Sequence, residues 1–276
     1  MESKAKDPPV EATKARLIPA EIGSRVDAWW GLFIAVVILT VVLVTTSPDP
    51  YRKILVFVTD GILVTIWVTV AAFALTLVFG LFGGLGRLSK NPIIFGISSL
   101  YVELVRGIPL LVQLIWWYFA FPVVLQSFGR SIGNAALASY QANAIAMSIL
   151  GLTFCYGAYM SEIYRAGIQS IPKGQMEAAL SLGMNYVQAM RYVILPQAIR
   201  VILPPVGNEF IALLKDSSLV SAVAVADLTR RGREFMSQNF NPIETWTMVA
   251  LIYLVMTLFS SRVASYIERK VKVAER

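Results

Sequence analysis

The sequence predicts an all-α protein made of membrane-crossing helices. Three observations point there. Of 276 residues, 57% are hydrophobic and 15% charged, against about a quarter charged in an ordinary soluble domain. The apolar residues gather in uncharged runs near the ~20 residues that cross a hydrocarbon layer. Those runs are too long and uniform for barrel strands, and in lipid only helices or closed barrels satisfy every backbone group. The composition argues against a soluble enzyme. Histidine is absent and Cys155 is the one cysteine, which removes Ser-His triads, His metal ligation, internal disulfides and Cys-cluster metal sites. The net charge of +7 reads as basic cytoplasmic loops, with no nucleic-acid partner.

Residues 1–27 are polar, mixed in charge and contain proline. Such a stretch cannot bury enough surface to order itself and reads as an uncleaved cytoplasmic tail. The first span is 28–48, opened by Trp29-Trp30 at interface depth. The second is 61–86. The third has its core at 107–129 and is expected to start near 98. The fourth falls within 138–163. The fifth, near 197–216, is interrupted by Arg200, Glu209, Lys215, Asp216 and Pro204-Pro205. The sixth is 245–261. With the N-terminus inside, most Lys and Arg fall in inner segments. The outer segments keep Arg52, Lys53, Arg130, Lys215, Arg230, Arg231 and Arg233, and the cluster at 230–233 breaks the rule locally. Both termini are then cytoplasmic. No internal repeat or low-complexity tract is present.

The loop after span four, within 165–196, is too long to lack structure of its own. It reads as two short helices. Pro172 suits a first helical turn and Gly183 a residue just past a helix end. Asn185 with Gln188 resembles a capping box for the second helix, which Pro196 should end. Met176, Ala179, Leu180 and Gly183 share a face of small or adaptable side chains, expected to dock on another protein.

In this loop Glu177-Ala178-Ala179, then Gly183, then Leu195-Pro196 resembles the signature of ATP-binding-cassette (ABC) importer permeases. Its pattern is E-A-A, three residues, G, nine residues, I-x-L-P, and Val193 stands here for the Ile. Three further strings, at 101–113, 161–170 and 207–219, are similar to the polar amino-acid branch. The similarity covers roughly 55–270, so the tail and first span are additions. The resemblance implies a type I importer permease in the bacterial cytoplasmic (inner) membrane. It implies uptake of polar amino acids, a second permease subunit, identical or related, and an extracytoplasmic amino-acid-binding protein. Pro172, Glu177, Ala178, Ala179, Gly183, Leu195 and Pro196 would form the coupling segment gripped by ABC ATPase subunits. The chain has no G-x-x-x-x-G-K-[ST], so ATP and Mg would be bound by that partner, and no cofactor is expected in this chain. The chain is then a transport subunit, not an enzyme.

A charge at a helix centre costs about 2.5–3.5 kcal/mol on insertion scales, so it usually faces protein or a watery path. Glu103, Arg106, Glu162, Asn208 and Glu209 are the substrate-path candidates. Glu103 with Arg106, and Glu162 with Arg165, have the spacing of ion pairs along a helix. Glu209 could meet the ammonium of a zwitterionic solute. Lys215 and Asp216 are expected near the outer interface. Gly80 and Gly84 favour close helix packing, and Trp116-Trp117-Tyr118-Phe119 reads as bulky packing. The alternative function is a self-sufficient secondary transporter or channel, which would call for inverted repeats or paired broken spans. The sequence shows one proline-rich interrupted span. An intramembrane enzyme would need converging catalytic groups, and Cys155 has no evident base.

Overall fold

A computed structural model describes residues 28–273. The tail expected at 1–27 lies outside them. The described residues are helical throughout, joined by turns and short loops. The order is α1 (Ala28–Thr46), α2 (Pro48–Arg87), α3 (Pro92–Gly107), α4 (Leu110–Ile115), α5 (Phe121–Ser131), α6 (Ala135–Ala138), α7 (Ala144–Gln169), α8 (Lys173–Ser181), α9 (Tyr186–Ala189), α10 (Leu195–Asp216), α11 (Leu228–Asn239) and α12 (Pro242–Val273).

Five stretches are long and apolar enough to cross a membrane: Trp29–Thr46, Pro48–Arg87, Leu110–Ser131, Ala144–Gln169 and Pro242–Val271. The fifth expected span coincides with α10, a 22-residue helix whose charges keep it below that apolarity. Several helices outrun the predicted spans. α2 is kinked at Asp49 (φ −110°, ψ 109°) and runs regularly from Pro50, well before residue 61. α7 is shifted toward its C-terminus, because Glu162 and Arg165 pair with each other and stay helical.

The third span differs from expectation. It does not start near 98. α3 stops at Gly107, and Ile108 is extended (φ −107°, ψ 131°). Pro109 causes the break: it lacks an N–H and pushes the residue before it out of the helical region. The lost bonds are replaced by the buried amide of Gln113, whose Nε2 donates to the carbonyls of Val105 (2.9 Å) and Ile108 (2.8 Å).

The core is the parallel contact of α2 with α7. Thr153 Oγ1 donates to the Ala72 carbonyl at 3.3 Å. Further along, Gly80 faces Met160, Gly83 faces Ser161, and Gly84 faces Ser161 and Tyr164. Glycine lets two backbones approach where lipid gives no hydrophobic drive for association. A Cβ at Gly84 would lie 2.9 Å from both the Ser161 carbonyl oxygen and Tyr164 Cβ. α3 wedges beside them, with Tyr101 donating to the Phe154 carbonyl at 2.7 Å. α12 packs on α10, α11 and α1. α1 is apolar all round and buries only Val36, against Leu251 and Leu258.

α2 and α7 both end where α8 begins, here termed the α8 end. The cluster Arg230-Arg231-Gly232-Arg233 lies toward the other end, on α11. It is offset by acids: Arg231 makes a two-pronged contact with Asp60 of α2 (Nε at 3.2 and 3.0 Å), and Arg230 reaches Glu234 at 3.0 Å. Two of the three arginines are thus held in ion pairs against the body of the protein.

Gly84→Val is expected to destabilise the chain by about 1–3 kcal/mol through overpacking. Gly96→Ala, whose Cβ meets nothing within 4 Å, is expected to be near neutral. Thermal unfolding of the purified variants in detergent checks the contrast.

Candidate functional site

Two features form the candidate site: a polar cavity between α3, α7 and α10, and the exposed turn-helix segment that leads into α10. The cavity has a volume of about 480 Å³. Arg106 enters it from the C-terminus of α3, its guanidinium 5.2 Å from the Tyr159 ring centroid. Glu209, Ala212 and Asp216 line it from α10. Spacings of three and seven residues keep them on one helical face. Asp216 Oδ2 accepts a hydrogen bond from the Tyr156 hydroxyl at 2.7 Å. The wall thus holds one guanidinium and two carboxylates within an otherwise apolar and aromatic surround. In low dielectric such groups are strong recognition elements for a ligand of complementary charge.

Of the substrate-path candidates, Arg106 and Glu209 meet in this cavity. Asn208 is exposed one position round the helix and does not line it. Glu103 and Glu162 lie elsewhere, in an ion cluster at the α8 end. There Arg87 closes α2, its Nη1 2.5 Å from Glu162 of α7 and its Nη2 3.8 Å from Glu103 of α3. Glu162 also pairs with Arg165, as its spacing suggested. Glu103 does not take Arg106 as its ion-pair partner. Arg106 turns over Tyr159 instead, while the half-enclosed Arg87 supplies the charge that Glu103 meets.

Asp216 and its partner Tyr156 were not among the candidates. Asp216 is not at an outer interface. It sits beside the middle of α7, because α10 ends there and the chain turns through a 3₁₀ segment, Ser217–Val223, into the core. The spacing from Glu209 was the available signal for a shared face.

The segment preceding α10 is locally well specified. Pro172 is the N-cap of α8, one residue before its first turn. Gly183 has φ +85°, the left-handed conformation that favours glycine after a helix. Its N–H donates to Leu180 and that of Met184 to Ala179, at 3.0 and 3.2 Å. The capping box is present: the Asn185 side chain takes the Gln188 N–H, and Gln188 Oε1 takes the Asn185 N–H, both at 2.9 Å.

Two expectations are corrected here. Pro196 does not end the second helix. The chain stays helical from Tyr186 to Asp216, passing through a π-turn at Met190–Ile194. Leu195 donates to Met190, five residues back. The wider turn relieves the clash between a helical proline and the carbonyl four residues before it. Nor does the whole face of Met176, Ala179, Leu180 and Gly183 point outward: Leu180 and Gly183 are exposed, but Met176 is only partly so and Ala179 is 3% exposed, because α8 packs on the π-turn. The outward groups are Glu177, Ala178, Leu180, Leu182 (80% exposed) and, beyond the turn, Tyr186 and Val187. Leu195 and Pro196 are also exposed. Exposed apolar side chains thus stand beside the Glu177 carboxylate on this segment.

Residues 76–273 match the family of binding-protein-dependent transport system inner membrane components, and the chain belongs to that family. It is similar to the glutamine transport system permease protein GlnP of Escherichia coli (strain K12), with 37% identity over 214 residues, covering 78% of this chain and 92% of that protein. It is 38% identical over 212 residues to the arginine transport system permease protein ArgU of Corynebacterium glutamicum, covering 76% and 67% of the two chains. It is 32% identical over 250 residues to the glutamate/aspartate import permease protein GltJ of Escherichia coli (strain K12), covering 90% and 96%. Among solved structures, that of an amino acid ABC transporter with histidines has 39% identity and a TM-score of 0.70, covering 82% of this chain and 97% of that one. Inward-facing MetNI, a methionine ABC transporter, shares the fold at 21% identity and a TM-score of 0.62, covering 78% and 96%.

On a Cys155→Ser background, Leu182→Cys is expected to react with a maleimide rapidly and Ala179→Cys slowly, both in the folded chain. Equal rates would show that α8 does not present the face described.

Proposed function

We propose that this chain is the membrane-spanning permease subunit of an ABC importer for polar amino acids, lying multi-pass in the inner membrane. Its relatives are permeases named for glutamine, arginine and glutamate/aspartate. The cavity's charge pattern supports the substrate class more than any other observation. An amino acid carries a carboxylate and an ammonium. Arg106 matches the first; Glu209 and Asp216 match the second. Desolvated, such charge-assisted contacts are worth about 1.5–3 kcal/mol each.

α10 and the following 3₁₀ turn supply a sixth crossing beside the five apolar ones. α10 runs from beside α8 to the middle of α7, where Asp216 meets Tyr156, and the 3₁₀ turn continues from there. Its Glu209 and Asp216 face the cavity instead of lipid, the usual resolution for charge at that depth. The α8 end is cytoplasmic. α2 and α7 end there, while Trp29 and Trp30 at the start of α1 sit against Arg262 near the end of α12.

The coupling segment comprises Pro172, Glu177, Ala178, Ala179, Gly183, Leu195 and Pro196. Glu177, Ala178 and the neighbouring apolar groups meet an ABC ATPase subunit, while Ala179 fastens α8 to its own chain. ATP and Mg are held by that separate subunit. A second permease copy or relative completes the path, and an extracytoplasmic binding protein delivers the solute. Nucleotide state then biases inward and outward forms through this contact.

In proteoliposomes, uptake is expected only with the ATPase and the binding protein present. Transport at full rate by this chain alone would refute the reading. Arg106→Gln and Glu209→Gln are each expected to cut uptake about tenfold or more while assembly with the ATPase is kept. An impermeant maleimide should label Leu182→Cys from the cytoplasmic side alone.

A further inference from the structure

The cavity between α3, α7 and α10 is unbalanced in charge. Its walls carry one guanidinium, Arg106, against two carboxylates, Glu209 and Asp216. Lys215, next to Asp216 in sequence, is exposed and does not line the cavity. Among the described residues Glu209 makes no ion pair, and Arg106 lies over the Tyr159 ring. Asp216 accepts a hydrogen bond from the Tyr156 hydroxyl, a contact that steadies the carboxylate without cancelling its charge. An amino acid with a neutral side chain brings one carboxylate and one ammonium. It would answer Arg106 and one of the two acids, leaving the other carboxylate enclosed without a cation, which is costly away from water. A solute with an acidic side chain would add a third negative group.

We propose that the cavity takes a cationic amino acid, such as arginine or lysine, whose carboxylate meets Arg106 and whose ammonium and side-chain cation meet Glu209 and Asp216 between them. The inference rests on the permease reading above and narrows its substrate class. Geometry agrees with the charge count. Seven residues at 1.5 Å rise set the two carboxylates about 10 Å apart along one face of α10. That is roughly the reach of an extended arginine or lysine with a hydrogen bond of about 2.8 Å at each end. The volume of about 480 Å³ falls in the range of small-molecule sites. Tyr156 and Tyr159 line the same wall and offer ring faces that favour a cation over a neutral group.

Equilibrium binding of radiolabelled L-arginine, L-citrulline and L-glutamate tests this, on the full chain assembled with its ATPase in nanodiscs. The binding protein is omitted so that delivery does not set the preference. Citrulline keeps the shape of arginine but replaces the guanidinium with a neutral urea. Arginine is expected to bind about tenfold or more tighter than citrulline, and glutamate weakest of the three. Asp216→Asn and Glu209→Gln each leave the cavity balanced for a zwitterion. Each is expected to lower the arginine-to-citrulline affinity ratio about threefold or more. The ratio is the readout because a general loosening of the cavity would weaken both solutes alike. Equal wild-type affinity for arginine and citrulline, tighter binding of glutamate, or a ratio unmoved by both substitutions overturns the proposal. The wild-type comparison decides alone if neither variant assembles. Binding without a cationic preference strikes this proposal and leaves the permease reading in place, whereas binding of no amino acid at all strikes both.

Discussion

The close approach of α2 to α7 is the constraint on which the other features depend. In lipid, two helices gain nothing from hydrophobic exclusion and must rely on dispersion contact and hydrogen bonding. Gly80, Gly83 and Gly84 bring the α2 backbone against Met160, Ser161 and Tyr164. The register this sets places Arg87 beside Glu162 and the Thr153 hydroxyl on the Ala72 carbonyl. It leaves Cys155, Tyr156 and Tyr159 on the side that faces the cavity. The ion cluster and the cavity wall are therefore two consequences of one packing seam. Arg87, Glu103, Glu162 and Arg165 join three helices at one end of that seam.

Much of this could be read from the residues. Uncharged runs located α1, α2, α7 and α12, and the Gly80/Gly84 spacing pointed to close packing. Gly183 and the Asn185/Gln188 box fixed their turn because both are local: a left-handed residue and a reciprocal cap depend on neighbours a few positions away. Helix ends were less legible. A Glu or Arg looks like a boundary until its partner is known, and Glu162 finds Arg87 75 residues away. Asp216 was misplaced for the same reason. Its surroundings are set by Tyr156 and by a 3₁₀ turn that folds back into the core, and neither is visible in a hydropathy window. Ala179 was assigned to the wrong face because a short helix carries too few residues to tell which side its own chain will cover.

Two prolines behave against expectation. Pro196 was expected to end a helix and does not, whereas Pro109 lay inside the expected third span and breaks the helix. The difference lies upstream. Before Pro196 the backbone widens into a π-turn at Met190–Ile194, and before Pro122 it does the same at Trp116–Ala120. In each case the residue preceding the proline donates five positions back, Leu195 to Met190 and Phe121 to Trp116. One extra residue in the turn moves the obstructing carbonyl away, so the helix continues with a small offset. Before Pro109 no such widening occurs, and the side chain of Gln113 caps the freed carbonyls instead.

The unbroken run from Tyr186 to Asp216 has a mechanical meaning. Its first turn stands in the open next to α8, and its last turn carries the carboxylate bonded to Tyr156. No loop separates the two, so the run behaves as a connecting rod. Tilting or twisting it at the tip must displace Glu209 and Asp216 together. It can give at the π-turn, whose hydrogen bonding is looser, and at Pro204-Pro205, which supply no N–H. A stroke applied at one extremity would thus arrive at the cavity-lining carboxylates as a change of aim.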